Sequence, residues 1–354
     1  MPTHSPTAEV DSSLPPGWQR TGWWRRLGRW ILKALGLLCR VLITAWGVLA
    51  IYYSNFPWAP IRLLLAFVFV GAGVAAFWLP QSRRAFVVFA GLVFAVLSWW
   101  VTIRPSQSRD WKPDVSVVPR AQVDGDKVTF TGVRHFDYRS RTDFTPHYET
   151  REVQLSHLTG VDFFVSRWSD GPVAHTFLSF VFDNAPPVCV SIEARLEKHE
   201  TYAALPSCFK QFELIYIVGD ERDIVRVRTQ YRKEKVLLFH TRATPEGVRR
   251  IFMSYIDRIN ALADQPEFYH LLSNNCTVNI DRHVNLDGRD SPFDLRLLLN
   301  GYIDAYAYVK DILDTSMPLE ELRERSLINA DAQAADLDPD FSKRIRESRP
   351  KLPK

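Results

Sequence analysis

IRLLLAFVFVGAGVAAFWL (Ile61–Leu79) and AFVVFAGLVFAVLSWWVTI (Ala85–Ile103) decide the architecture before any other segment is read. A helix that crosses a bilayer needs about 20 apolar residues to span about 30 Å of hydrocarbon. The first run carries one charge, Arg62, at its edge, and the second carries none. A third run, Ala34–Tyr53, contains Arg40 near its start, from where a long side chain can snorkel to the headgroups. It reads either as a span or as an amphipathic helix lying in the interface.

Charge placement favours three spans. Arg20, Arg25, Arg26, Arg29 and Lys33 precede the first run, and Arg83 and Arg84 sit between the second and third. Positive charge near helix ends stays on the cytoplasmic side. Spans at about 34–53, 61–79 and 85–103 satisfy both clusters, with residues 1–30 inside and everything after Ile103 outside. Trp18, Trp23, Trp24, Trp30, Trp58, Trp78, Trp99, Trp100 and Trp111 fit interfacial anchoring. The apolar region is too long, and starts too late, for a cleaved signal peptide.

The overall net charge of +4 hides two different objects. Residues 1–103 hold nine Lys/Arg against two Asp/Glu, whereas the remainder holds 35 against 38. A slightly acidic outer part argues against a nucleic-acid partner. The expected organisation is a transmembrane segment at 31–103, a linker at 104–120 marked by Pro105, Pro113 and Pro119, a domain at 121–340 and a polar tail at 341–354.

Within the domain the period is first that of strands. Val123–Lys127 reads as a hairpin turn, and Asn184-Ala185-Pro186-Pro187 as a second one between His175–Asp183 and Val188–Arg195. Val161–Trp168, Glu213–Val218, Ile224–Thr229 and Val236–His240 are further strand candidates. The period then changes. Thr244 can cap a helix whose apolar face is Val248, Ile251, Phe252, Tyr255, Ile256, Ile259 and Leu262. Ser291-Pro292, Leu295–Leu313 and Pro318–Arg325 read as a helical C-terminal region. Strands followed by helices imply an α+β domain.

The chain has no Walker loop, G-x-S-x-G, H-E-x-x-H or C-x-x-C. Attention therefore falls on Cys276, in Ser273-Asn274-Asn275-Cys276-Thr277, where Asn275 or Asn274 can cap a helix beginning at the cysteine. A thiol there feels the positive end of the helix dipole, and the same N–H groups suit an oxyanion. The competing reading is a buried structural thiol. A nucleophilic thiol needs an imidazole base. His175 opens an apolar strand and reads equally as a core histidine, while His199 and His283 read as surface residues. A zinc site built from His270, Cys276 and His283 fits no standard ligand spacing, so no metal or cofactor is expected. Cys39 lies in a membrane helix, and Cys189 and Cys208 are candidates for a disulfide in an oxidising compartment.

These motifs occur in the order Val133-Arg134-His135-Phe136, Ala174–Phe180, Ser191-Ile192-Glu193-Ala194-Arg195, Phe212–Tyr216, Phe268-Tyr269, Asn274–Thr277 and Gly301-Tyr302. In that order they resemble the Lnb N-terminal periplasmic domain family, named for a bacterial lipoprotein N-acyltransferase, over roughly residues 128–345. The resemblance implies a permuted NlpC- or papain-like fold with a base histidine on a strand and a nucleophilic cysteine at a helix start, the places of His175 and Cys276. Glu193 then stands where it can orient the imidazole. Arg195 shares its face by strand alternation and suits an ion pair with it. Asn275 is either an oxyanion donor or a helix cap, with Asn274 in support.

The function so implied is acyl transfer in the periplasm of a Gram-negative bacterium. The chain would be a multi-pass protein of the inner membrane. The donor would be an acyl ester of a membrane lipid or lipoprotein, and the acceptor a lipoprotein's N-terminal amine. A cysteine amidase or peptidase acting on cell-wall peptides, and a non-catalytic membrane scaffold, are the alternatives. An apolar groove near Cys276 that faces the membrane would favour acyl chains, a polar open cleft would favour peptides, and a wide Cys276–His175 separation would favour the scaffold.

Overall fold

The computed structural model describes residues 21–53, 58–78, 83–169, 171–285 and 294–350. It divides into two compact units, Met1–Thr102 and Ile103–Lys354. The first holds three helices, α1 (Thr21–Tyr52), α2 (Ala59–Trp78) and α3 (Arg83–Thr102), each long and apolar enough to cross a membrane. Helix α1 starts well before the expected residue 34. Its 32 residues make about 48 Å at about 1.5 Å per residue, so Arg25, Arg26 and Arg29 lie on turns beyond what the hydrocarbon requires. The helices pack through Phe69 and Phe89, both buried. Gly47 lets Phe69 approach so closely that a Cβ would stand 2.4 Å from its ring. Arg40 lies over the ring of Phe77.

The second unit is a mixed sheet covered on both faces. Its strands are β1 (Arg120–Asp124), β2 (Lys127–Arg134), β5 (Tyr148–Gln154), β6 (Leu158–Arg167), β7 (His175–Phe182), β8 (Val188–Arg195), β9 (Glu213–Gly219) and β10 (Lys235–His240); β3 (Asp137–Tyr138) and β4 (Phe144–Thr145) form a separate hairpin. The order is β1-β2-β9-β8-β7-β6-β10, with β5 on β2. All pairings are antiparallel except β2–β9, joined at Arg134 and Gly219. The hairpin at Asp124–Lys127 forms as expected, with Gly125 at φ +59°.

Strand alternation sends Thr176, Leu178 and Phe180 to one face and His175, Phe177 and Ser179 to the other. On the first face lie α5 (Pro245–Asp264) and α6 (Cys276–Val284), whose Val248, Phe252, Tyr255 and Ile280 share a core with Leu178 and Phe180. Thr244 caps α5 by accepting from the Gly247 amide at 3.2 Å. Against the second face pack α4 (Glu221–Arg226), α9 (Asn329–Ala334) and α10 (Phe341–Glu347), around Phe164, Phe177, Ile215 and Ile217. Helices α7 (Ile303–Val309) and α8 (Leu319–Ser326) complete the chain's helical end.

Four expectations are corrected. Ile224–Thr229 is not a strand but α4 running into a π-helical turn, Val227–Tyr231. Asp220 caps it by accepting from the Arg222 amide, and the helical wrap brings Arg228 into the interior. Leu295–Leu313 is not one helix: short turns at Leu295–Leu297 and Asn300–Tyr302 precede α7. Gly301 explains the break, because it lies so close to the chain at Gly171–Pro172 that a Cβ would stand 2.5 Å from the Gly171 carbonyl. The polar tail contains α10, whose Phe341 and Ile345 are fully buried. The linker is bound to the domain from its start, with the Ser106 amide on Glu213, the Gln107 side chain on the Leu262 carbonyl and Trp111 buried. The helix expected to open at Ser291-Pro292 lies outside the described residues.

Candidate active site

The turn before α6 is bound into the domain at both ends. Tyr269 N–H donates to the Phe212 carbonyl, and His270 and Asn274 exchange backbone hydrogen bonds. The Asn274 side chain donates to the Phe268 carbonyl at 2.9 Å and accepts from Asn279 at 3.0 Å. Asn275 is extended, and its Oδ1 takes the Val278 amide at 2.9 Å while its Nδ2 donates to the Leu271 carbonyl. Both asparagines are therefore committed to building the helix start. Asn275 is the cap.

This construction fixes Cys276 as the first residue of α6, buried at the end of the sheet. His175 faces it from the first position of β7. Burial pushes the thiol up, but the hydrogen bond and charge of His175, aided by hydrogen bonds from the Thr176 hydroxyl and amide, outweigh burial and bring it from 9.0 down to about 6. The pair comes from opposite sides of the sheet: Cys276 belongs to the α5/α6 core, whereas the His175 ring stacks toward Phe177 on the other face. They meet only because both stand at the end of β7.

Behind the imidazole runs a chain of polar contacts. His175 Nε2 lies 2.7 Å from Ser191 Oγ, and Ser191 donates to Glu193 Oε1 at 2.8 Å. With Nε2 held in this way, Nδ1 is the nitrogen available to the thiol. Glu193 Oε1 is 3.7 Å from Nε2, so it steadies the ring mainly through Ser191. Its counter-cation is Arg228, at 2.8 Å and buried to 2% exposure. Burial opposes ionisation of Glu193, yet Arg228 and His175 hold its carboxyl well below the usual range. The ion pair expected between Glu193 and Arg195 is absent. Arg195 instead donates to the Val115 and Ser116 carbonyls and to Gln107, and lies 4.1 Å over Trp111. It fastens the linker and stands outside the site.

Asn300 closes the site from the other side. Its Oδ1 accepts from the Ala174 amide at 2.8 Å, and its Nδ2 donates to Thr277 Oγ1 at 3.2 Å and reaches Cys276 Sγ at 3.8 Å. Sequence reasoning did not single out Asn300, although it adjoins the Gly301-Tyr302 motif. Ser191 was quoted only as part of a motif, and Arg228 was hidden in the misread strand.

Next to the thiol lies a cavity of about 290 Å³, lined chiefly by Val161, Phe163, Leu178, Ile280, Ile303 and Ala307. Thr176 and Thr277, whose hydroxyls are 3.1 Å apart, form its wall toward Cys276. Its surface edge carries Arg242 and Asp311, paired at 2.5 Å.

Other candidates fall elsewhere. His283 is not on the surface: it is buried between Tyr216 and Ser254, and burial pushes its pKa down to about 3. His270 bonds Ser273. Cys189 and Cys208 are free thiols and form no disulfide. Among the described residues, no cluster of His, Cys, Asp or Glu is arranged to hold a metal ion.

No curated protein and no solved structure matches this chain. A family model does, over residues 144–301, a span that contains Cys276, His175, Ser191, Glu193, Arg228 and Asn300. That match runs from the β3–β4 hairpin to the Gly301 turn, and it identifies this span of the outer domain of the membrane-associated protein as similar to the Lnb N-terminal periplasmic domain family.

Proposed function

We propose that the protein is a cysteine-dependent acyltransferase of the bacterial inner membrane. Its three helices span with the N-terminus inside, and the outer domain, a permuted papain- or NlpC-like unit, works in the periplasm. The observation that carries this reading is the apolar cavity of about 290 Å³ beside a thiol whose pKa is near 6. Its size stands at the small end of ligand pockets, about 300 Å³ and upward. Its lining suits an acyl chain and offers little to a peptide backbone. The contact between His175 and Cys276 removes the main reason to prefer a non-catalytic scaffold.

The chemistry follows from the groups in place. Cys276 Sγ, as thiolate, attacks the carbonyl carbon of an acyl ester of a membrane lipid or lipoprotein. The oxyanion is met by first-turn amides of α6, which lack partners within a helix, and by the Asn300 amide. The C–O bond breaks, the alkoxide leaves with a proton from the His175 imidazolium, and a thioester remains. An incoming lipoprotein N-terminal amine attacks that thioester, His175 takes its proton, the C–S bond breaks, and the amide leaves with the thiolate restored. No cofactor enters the sequence of steps. Confinement of enzyme, donor and acceptor to one surface raises their effective concentration.

The test is mass spectrometry of lipoprotein N-termini in cells whose only candidate transferase is the intact chain or Cys276→Ala. N-acylation with the intact chain and none with the variant supports the reading. Free N-termini in both, with the protein stably made, overturn the lipoprotein substrate and direct the search to cell-wall peptides.

A further inference from the structure

The two ends of the sheet differ in character. The end that carries Cys276 holds two groups of exposed apolar side chains, with Lys198 and His199 exposed beside them. On one side stand Tyr202, Leu205 and Leu272, gathered where the Leu271 amide donates to the Ser207 carbonyl and Tyr202 packs against Phe212 and Tyr269. On the other side stand Trp168, Val173 and Tyr302, gathered where the Gly301 amide donates to the Pro172 carbonyl. Leu272 and Trp168 are each more than half exposed, at 54% and 52%. The opposite end, at the β7–β8 turn, is polar: Asp126 accepts from Ser156, His157 meets Asp183, and Asn184 donates to Gln154.

A second observation concerns where the chain enters this domain. Helix α3 ends at Thr102, and the next residue, Ile103, already accepts a hydrogen bond from Lys210 Nζ through its carbonyl. Ser106 is held by Glu213 and Gln107 by Arg195. Glu213 opens β9 and Arg195 ends β8, two residues beyond Glu193. The first residues of the domain are therefore held at the end of the sheet that carries Cys276.

We propose that this end of the domain rests in the surface of the lipid bilayer, with Tyr202, Leu205, Leu272, Trp168, Val173 and Tyr302 immersed at headgroup level around the end of the sheet that holds Cys276. Aromatic and aliphatic side chains partition to that depth, and Trp and Tyr favour it. An exposed apolar patch of this kind marks an interaction surface. The consequence for chemistry is that a lipid ester reaches the thiol without crossing water. The inference goes beyond the acyltransfer reading and does not depend on it.

The test uses the full-length chain in nanodiscs of phosphatidylethanolamine and phosphatidylglycerol. Nitroxide labels are placed by Leu272→Cys, Tyr302→Cys and, at the polar end, Asn184→Cys, each with Cys39→Ser, Cys208→Ser and Cys276→Ala to remove other reactive thiols. Collision with oxygen, which concentrates in lipid, is compared with collision with a water-soluble nickel chelate. The expected result is an oxygen-to-nickel ratio several-fold higher at 272 and 302 than at 184. Equal ratios at all three positions overturn the proposal. Because these variants lack the catalytic thiol, the outcome is separate from whether the enzyme transfers acyl groups.

Discussion

On one face of the sheet, α5 and α6 pack through Val248, Phe252, Tyr255 and Ile280 and leave a mainly apolar cavity. On the other, Arg228 and Arg134 are buried, and Arg346 is half-buried, beside Glu193, Glu221, Asp162 and Asp223. The apolar face is non-directional and can deform around an occupant. The charged face is directional: each ion pair defines one geometry, and loss of a partner strands a charge. The nucleophile rises from the deformable face and its base from the rigid one. That division suits a site whose substrate chain varies while the proton path does not.

The comparison can be broken most severely at His175. With the imidazole present, the Cys276 thiol loses its proton as pH rises through about 6, so alkylation by iodoacetamide climbs through that pH and then levels off. In His175→Ala the opposing effect of burial is left largely unanswered, and the midpoint moves up by about three units, to 9 or above. An unmoved midpoint would mean that the base lies elsewhere.

Arg228→Met tests the rigid face. It leaves Glu193 and Glu234 without their shared cation, and loss of one member of a buried pair destabilises by about 3–5 kcal/mol. Chemical denaturation of the purified chain in detergent measures it. A loss under about 1 kcal/mol, the value of an ordinary surface pair, would remove the distinction between the faces.

Ala307→Phe tests the deformable face most gently. It fills part of the cavity without touching the thiol. Turnover of a long-chain donor is expected to fall about tenfold, equivalent to about 1.4 kcal/mol, while the alkylation rate of Cys276 stays the same. Equal loss of both would place the cavity outside the substrate path.

Much of this was legible in the chain. Cys276 announced itself through Asn275 and the helix that follows, and the α5 stripe from Val248 to Leu262 was plain in its period. The three long apolar helices were legible from length and composition, apart from the start of α1. What escaped reading depended on contacts distant in sequence. The run Ile224–Thr229 is β-branched and alternating, and local pattern reads it as a strand; Asp220 as a cap and the demand for a cation beside Glu193 make it helical. Asn300 carries no signal of its own, since its role exists only where Ala174 and Thr277 converge. Arg195 misled for the complementary reason. Alternation assigned its face correctly, but Trp111 and the Val115 and Ser116 carbonyls claim its charge at a level past Glu193.

Helix α10 carries a consequence for how the protein is made. Arg346 holds Glu221 through both terminal nitrogens, at 2.6 and 2.7 Å, and Asp162 through Nε at 2.8 Å. Asp162 lies in β6 and Glu221 opens α4, so both are synthesised long before their cation. The sheet can therefore complete its charged face only after residue 346 has been made, and a chain truncated short of α10 leaves Asp162 and Glu221 without that cation.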